Sequence, residues 1–198
     1  MGARVVLASS SRYRAQLLAR LGLPFVQDHP GIDESHRPAE AACDYVQRLA
    51  IAKARAVAPR HPGAIVIGSD QAATSEEELL GKPGSVAAAC GQLAKLSGRT
   101  VEFLTAVAVM RAGGEVRCEV DRTLVTFRPL GPAEISAYVQ REQPLDCAGS
   151  FKAEGLGIVL FERILSEDPT ALVGLPLIAL FRLLRQAGIE PLRDPATG

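Results

Sequence analysis

An α/β fold, with a mixed twisted sheet flanked by helices, is predicted by three stretches of the chain. Ala64-Ile65-Val66-Ile67 is an apolar run with three β-branched residues, the composition of a strand covered on both faces. Val5-Val6-Leu7-Ala8 is a second such run, and it passes directly into Ser9-Ser10-Ser11, hydroxyls suited to capping a helix that begins near Arg12. Val101 to Met110, Gly113-Gly114 and Val116 to Phe127 read as a strand, a hairpin turn and a returning strand.

At 198 residues the chain can bury a sizeable core, as one domain over 1–198 or as two small lobes sharing a cleft. Hydrophobic residues make up 47% and charged residues 22%, an ordinary globular balance. Formal net charge is zero, which gives no electrostatic case for nucleic acid or an anionic membrane as partner; any anion must be held by a local cluster. The short apolar start lacks the core and flanks of a signal peptide, no run is long enough to span a bilayer, and a cytoplasmic location is expected. Cys43, Cys90, Cys118 and Cys147 are widely spaced, and His29, His36 and His61 form no ligand pattern. Reduced, mostly buried thiols follow. A metal here would be a hard cation on oxygen ligands.

The elements follow in order. After the Val5 strand, three serines with Arg12 and Arg14 meet a helix N-terminus, where orphan N–H groups, the helix dipole and guanidinium forks all favour an anion. Capping alone also accounts for the serines. Tyr13, Leu17 and Leu21 share a helical face, so Tyr13 belongs to the core unless its place at the helix start turns it to the cleft. Gly22 ends that helix. Pro30 to Glu34 is a loop with adjacent carboxylates. Pro38 is expected to open a long helix to about Val57 with the stripe Ala42, Val46, Leu49, Ala50 and Val57. Lys53 falls inside the stripe, where it either snorkels outward or brings its charge to an anionic ligand.

The Ala64 strand then delivers Asp70 past Gly68-Ser69. Strand ends of this kind are where open α/β sheets hold ligands, although an aspartate there can equally cap a turn. Gln71 to Thr74 extends the strand, and Ser75 to Glu78 is a solvated hairpin turn. Lys82 stands between Gly81 and Pro83, without the glycine-rich phosphate-loop pattern. A helix runs from Ser85 to Leu96 and stops at Ser97-Gly98. In the returning strand of the hairpin, apolar parity switches between Val120 and Val125, which predicts a bulge. Pro132 opens a helix carrying Ile135, Tyr138 and Val139. Cys147 to Gly157 is a glycine-punctuated loop, and Ile158 to Phe161 reads as a further buried strand. Pro176 opens the helix Leu177 to Gln186, with Leu180, Leu183 and Leu184 inward and Gly188 closing it. The tail from Arg193 is expected to fray.

Read together, Leu7-Ala8-Ser9-Ser10-Ser11-x-x-Arg14, Ile32-Asp33-Glu34, Tyr45-Val46-x-x-Leu49-Ala50-x-x-Lys53-Ala54, Gly68-Ser69-Asp70, Gly81-Lys82-Pro83, Leu96-Ser97-Gly98 and Val173-Gly174-Leu175-Pro176 form an ordered set. The set resembles the Maf family of nucleoside triphosphate pyrophosphatases, from about Val5 to the C-terminal helix. Cys147 to Gly157, with Leu160-Phe161-Glu162-Arg163 and the Asp70-Gln71 pair, looks like the branch that hydrolyses 7-methyl-GTP.

The resemblance implies a two-lobed sheet around a central cleft, similar to inosine triphosphatase folds. It implies attack of water on the α-phosphorus to give a monophosphate and pyrophosphate, with a divalent cation such as Mg2+ or Mn2+. Asp70 is implied as the proton acceptor; Ser9, Arg14, Lys53 and Lys82 as substrate-binding groups; and Glu34 with Asp70 as metal ligands. Tyr13, Gln71 and Glu154 are implied as selectivity positions, and a homodimer is left open. The two oxygens of Glu154 suit the N1–H and N2–H2 donors of guanine, and a tyrosine face suits the cationic ring of an N7-methylated base. The chain departs from the family pattern at Arg12, where proline is frequent, and at Tyr13, where this branch has tryptophan. Preference for dTTP and UTP, a broader specificity, or a nucleotide-sensing regulator of cell division are the alternatives. A carboxylate facing the two carbonyls of uracil argues against the pyrimidines.

Overall fold

The structure is a computed structural model and describes residues 4–76 and 78–192. It falls into two compact units, 1–71 with 105–121 and 168–198, and 72–104 with 122–167. Strands β3 (Ile65–Ser75), β5 (Thr100–Arg111) and β6 (Val116–Phe127) each contribute a stretch to both.

In the first unit the strand order is β2-β1-β3-β5-β6, with β1 (Val5–Leu7) parallel to both β2 (Phe25–Gln27) and β3. Register pairs Val5 with Phe25 on one side and with Ile65 on the other. Because successive side chains alternate faces, these strands feed two cores. Val5, Leu7, Ile65 and Ile67 pack with residues of helices α1 (Arg12–Ala19) and α5 (Leu177–Gln186), including Leu17, Leu180 and Leu184. Val6, Ala8, Ala64 and Val66 pack with Ala54 and Val57 of helix α2 (Ala42–Val57). Burial on both faces is what the unbroken apolar runs required.

Gly68 explains how closely α2 lies on the sheet. A Cβ at this position would stand 2.1 Å from the Ala50 carbonyl oxygen and 2.8 Å from the Ala54 nitrogen. Only glycine admits that approach, and Ala50 and Ala54 on the facing helix keep it short.

The second unit carries helices α3 (Val86–Leu96) and α4 (Pro132–Glu142) in mutual contact, and the strand order β4-β3-β5-β6-β7, where β4 is Glu78–Leu80 and β7 is Phe161–Ser166. Its core includes Phe103, Phe127, Phe151 and Phe161, packed edge to face at centroid distances of 4.8–5.5 Å.

Several expectations are corrected. Pro38 does not open α2: Ala39 adopts φ +57°, and the Glu40 carboxylate is drawn back to Arg48 at 2.5 and 2.7 Å, so the helix begins only at Ala42. Ile158 to Leu160 is not strand but part of a 3-10 segment, Leu156–Leu160, in which Ile158 and Val159 are exposed; β7 starts at Phe161. Here apolar composition misled because Gly155 and Gly157 turn the chain tightly just before it. The irregularity of β6 against β7 lies between Thr126 and Phe127, and the parity switch after Val120 falls where β6 passes from one unit to the other. Strand β2 has only three residues and was not anticipated. The tail from Arg193 lies outside the described residues.

All four cysteines are free and partly buried. Burial pushes the Cys118 thiol up to about 11 and the Cys147 thiol to about 12. No helix among the described residues is long and apolar enough to cross a membrane.

Candidate active site

The alternation that builds the two cores also sorts the residues midway along β3, which does not end at Asp70, as a strand-end site would require, but runs on to Ser75. Gly68 and Asp70 share the face of Val66, towards α2, whereas Ser69 and Gln71 share the face of Ile67. On the α2 side, Lys53 lies between Ala50 and Ala54 and is held beside the strand by the Gly68 contact. Lys53 is 4% exposed and Asp70 6%. Lys53 Nζ donates to Asp70 Oδ1 at 2.6 Å and lies 3.0 Å from Glu34 Oε2, so one ammonium bridges two carboxylates. The lysine anticipated inside an apolar stripe therefore does not snorkel to solvent.

Glu34 reaches the pair from an exposed loop; its side chain is 51% accessible. The loop is fixed from α2. Tyr45 Oη donates to the Glu34 carbonyl at 2.8 Å, Arg48 donates to the Ser35 carbonyl at 3.1 Å, and the Asp33 carboxylate takes the Ser35 N–H at 2.9 Å. Burial raises the Tyr45 phenol above its ordinary value, and Asp70 and Glu34 raise it further. The phenol thus remains a neutral donor.

Arg14 joins the same electrostatic cluster from α1. Burial lowers its guanidinium below the usual value, and the charges of Asp70 and Glu34 oppose that fall. Its Nε donates to the Gly174 carbonyl at 2.8 Å, which leaves the terminal nitrogens for an anion. Ser11 caps α1, its hydroxyl accepting the Arg14 N–H at 3.4 Å, and the buried Ser9 hydroxyl accepts the Ser11 N–H at 3.1 Å. Ser11 is thus engaged in capping and Ser9 in holding the turn before it, whatever anion the loop also takes.

On the other face of β3, a short segment of backbone carbonyls orients the side chains. Ser69 Oγ donates to the Gly174 carbonyl at 3.0 Å. Gln71 Nε2 lies 3.0 Å from the Ala171 carbonyl, 3.1 Å from that of Leu172 and 3.0 Å from Thr105 Oγ. Carbonyls only accept, so the Gln71 amide must point its NH2 at them and present its oxygen elsewhere. Thr105 and these carbonyls were missed by residue-type reasoning, and Tyr45 stood in a motif without a role of its own. The signals were the Val173-Gly174-Leu175-Pro176 motif and Gly174, whose φ of +118° turns its carbonyl to the site.

Tyr13 is half-buried rather than a core residue. The Arg12 guanidinium lies 4.8 Å from its ring centroid and donates to its hydroxyl at 2.8 Å. Lys82 and Glu154 belong to the second unit, both exposed. The Lys82 loop is fixed by Gln92, which donates to the Gly81 carbonyl at 3.2 Å, and by the Gly84 N–H bonded to the Leu145 carbonyl at 3.0 Å.

Ser9, Arg14, Lys53, Glu34, Asp70 and Gln71 all lie in the first unit; Lys53 contacts both Glu34 and Asp70, and Arg14 feels the charge of both carboxylates. Two cations and two carboxylates can hold a polyphosphate, a divalent ion and an attacking water.

The model of the family described as Maf-like protein matches residues 4–187. Among similar proteins, the 7-methyl-GTP pyrophosphatase of Aromatoleum aromaticum is 57% identical over 94% of this chain and 96% of its own. That of Bordetella avium is 53% identical over 98% of both. The Ham1 protein of Staphylococcus aureus, a solved structure, is similar in fold with a TM-score of 0.50 at 15% identity, over 94% of this chain and all of that one.

Proposed function

Because this chain belongs to the Maf family, we propose that it hydrolyses 7-methyl-GTP to 7-methyl-GMP and pyrophosphate, removing a modified nucleotide from the pool. The observation that carries this reading is the Asp70–Lys53–Glu34 cluster, a buried carboxylate and ammonium at 2.6 Å within the field of Arg14.

A triphosphate brings about four negative charges, and Arg14 and Lys53, with the Ser9 loop, supply charge-assisted donors for it. Lys82, on its fixed loop in the second unit, is assigned to the polyphosphate as well. Lys53 holds Asp70 by one oxygen, and the other carboxylate oxygen accepts a proton from water as that water attacks the α-phosphorus. The new bond is from the water oxygen to the α-phosphorus; the α–β bridging bond breaks, and its oxygen leaves with pyrophosphate.

Glu34 and Asp70 are the residues that would hold a divalent cation. The convergence of both carboxylates on one ammonium supports this assignment, and their hard oxygens suit Mg2+ or Mn2+. Among the described residues no group of three or more His, Cys, Asp or Glu side chains forms a metal cage, so phosphate oxygens and water would complete the shell. Such an ion, when bound, neutralises charge on the phosphates.

Glu154 is assigned to the guanine edge, Tyr13 to the face of the methylated ring, and Gln71 to a hydrogen-bond donor of the nucleotide through its free oxygen. Arg12 lies over one face of Tyr13, which leaves the other face for the methylated ring.

The test is turnover against a panel of unmodified and methylated nucleoside triphosphates with products identified. Preferential conversion of 7-methyl-GTP, with pyrophosphate released, is expected. Preference for dTTP or UTP, orthophosphate release, or binding without turnover would each contradict the proposal.

A further inference from the structure

The turn that carries Glu154 is fastened by residues with no part in the chemistry described above. Helix α4 ends at Glu142, and Gln143 follows at φ +47°. Lys152 Nζ donates to the Glu142 carbonyl at 2.8 Å and reaches the Gln143 carbonyl at 3.5 Å, closing the helix end with its charge. Reciprocally, Glu142 Oε2 accepts the Leu156 N–H at 3.0 Å, while its other oxygen lies 4.0 Å from Lys152 Nζ. The Tyr138 hydroxyl, on the same helix, accepts the Lys152 N–H at 3.0 Å.

Residues 152 and 156 are thus pinned to α4, with only Ala153, Glu154 and Gly155 between them. The Gly155 N–H donates to the Lys152 carbonyl at 3.2 Å, which closes a turn with Ala153 and Glu154 as its central residues. There is no slack around it. A Cβ on Gly155 would lie 2.8 Å from Glu142 Oε1, and one on Gly157 would lie 2.4 Å from the Lys152 carbonyl oxygen. Glu154 is exposed at the tip, so the backbone of this turn sets the point from which its carboxylate reaches out.

Resting on the reading of Glu154 as the group that meets the base, we infer that the reciprocal Glu142–Lys152 clasp is a positioning device that determines base selectivity. Two donors on the guanine edge can be accepted together only if the carboxylate plane is held in register with them. A loosened turn still offers an acceptor, but it satisfies one donor at a time and loses its advantage for guanine. Losing one of two charge-assisted hydrogen bonds lowers discrimination by about tenfold or more.

The experiment compares kcat/KM for 7-methyl-GTP with that for UTP in the wild type and in Glu142→Leu, Glu142→Gln, Lys152→Met and Glu154→Gln, with unfolding midpoints for each. Glu142→Leu and Lys152→Met should lower the ratio about tenfold, through a higher KM for 7-methyl-GTP. Glu142→Gln keeps an acceptor for the Leu156 N–H and should retain the ratio. If Glu142→Leu does not fold, Lys152→Met, which keeps the apolar stem, decides alone. If Glu154→Gln moves the ratio while Lys152→Met and Glu142→Leu lower only the midpoint, or slow both substrates equally, the clasp is structural and the inference is overturned. If Glu154→Gln leaves the ratio unchanged, Glu154 does not read the base, and the inference falls with that assignment.

Discussion

Replacing Gly68 with alanine perturbs the contact that sets the distance between Lys53 and Asp70. The added Cβ would meet the Ala50 carbonyl oxygen at 2.1 Å, where ordinary van der Waals contact begins at 3.4 Å. Both partners are backbone, so no side chain can swing aside; α2 and β3 must separate by about 1.3 Å or distort. Overpacking of this kind costs about 3 kcal/mol. In a chain of this size that corresponds to roughly 6–12 °C in unfolding midpoint. The same separation moves Lys53 from Asp70, and a misplacement of about 1 Å lowers turnover about a hundredfold. Calorimetric unfolding gives the first quantity, and initial rates with 7-methyl-GTP well below the midpoint give the second. A Gly68→Ala protein that melts and turns over like the wild type would refute the inferred dependence of the Lys53–Asp70 pair on this contact.

Asp70→Asn should lower turnover about a thousandfold, while calorimetric titration still detects nucleotide binding; undiminished turnover would remove Asp70 from the proton-accepting role. Lys82→Ala should lower kcat/KM about tenfold with no change in unfolding midpoint, because the side chain is exposed; a change confined to stability would make Lys82 structural. Hydrogen bonds from Arg48 and then the Arg37 N–H hold Glu40 at about 2, below its usual 4.5. Its stabilisation is therefore complete above about 4.5 and is lost as pH falls through about 2. Denaturant midpoints of Glu40→Gln should lie below wild type at neutral pH and converge with it on acidification; a constant gap would contradict a stabilising charge on Glu40.

Much of the first unit could be read from residue order alone. Two apolar runs without polar alternation implied strands buried on both faces, and Lys53 was conspicuous because its neighbours at helical spacing are all apolar. Asp70 was singled out by the glycine-serine step before it, although β3 does not end there but continues to Ser75. The groups that orient Gln71, Ser69 and Arg14 were not legible in this way, because they are carbonyls of Ala171, Leu172 and Gly174, and every residue type carries one. The serine loop was ambiguous for a physical reason: the same hydroxyls that suit an anion also cap α1. Ile158 and Val159 show the limit of composition, since two β-branched residues lie exposed in a 3-10 segment once the preceding glycines have bent the chain. Pro38 opens a turn rather than α2, because Ala39 takes a left-handed φ and Glu40 is drawn to Arg48, neither of which the proline signals.

Hydrolysis of 7-methyl-GTP in water enriched in oxygen-18, with mass analysis of both products, tests the central claim most directly. Activation of water by Asp70 for attack at the α-phosphorus predicts one heavy oxygen in 7-methyl-GMP and none in pyrophosphate. Heavy oxygen in pyrophosphate, or labelled orthophosphate as the first product, would contradict it.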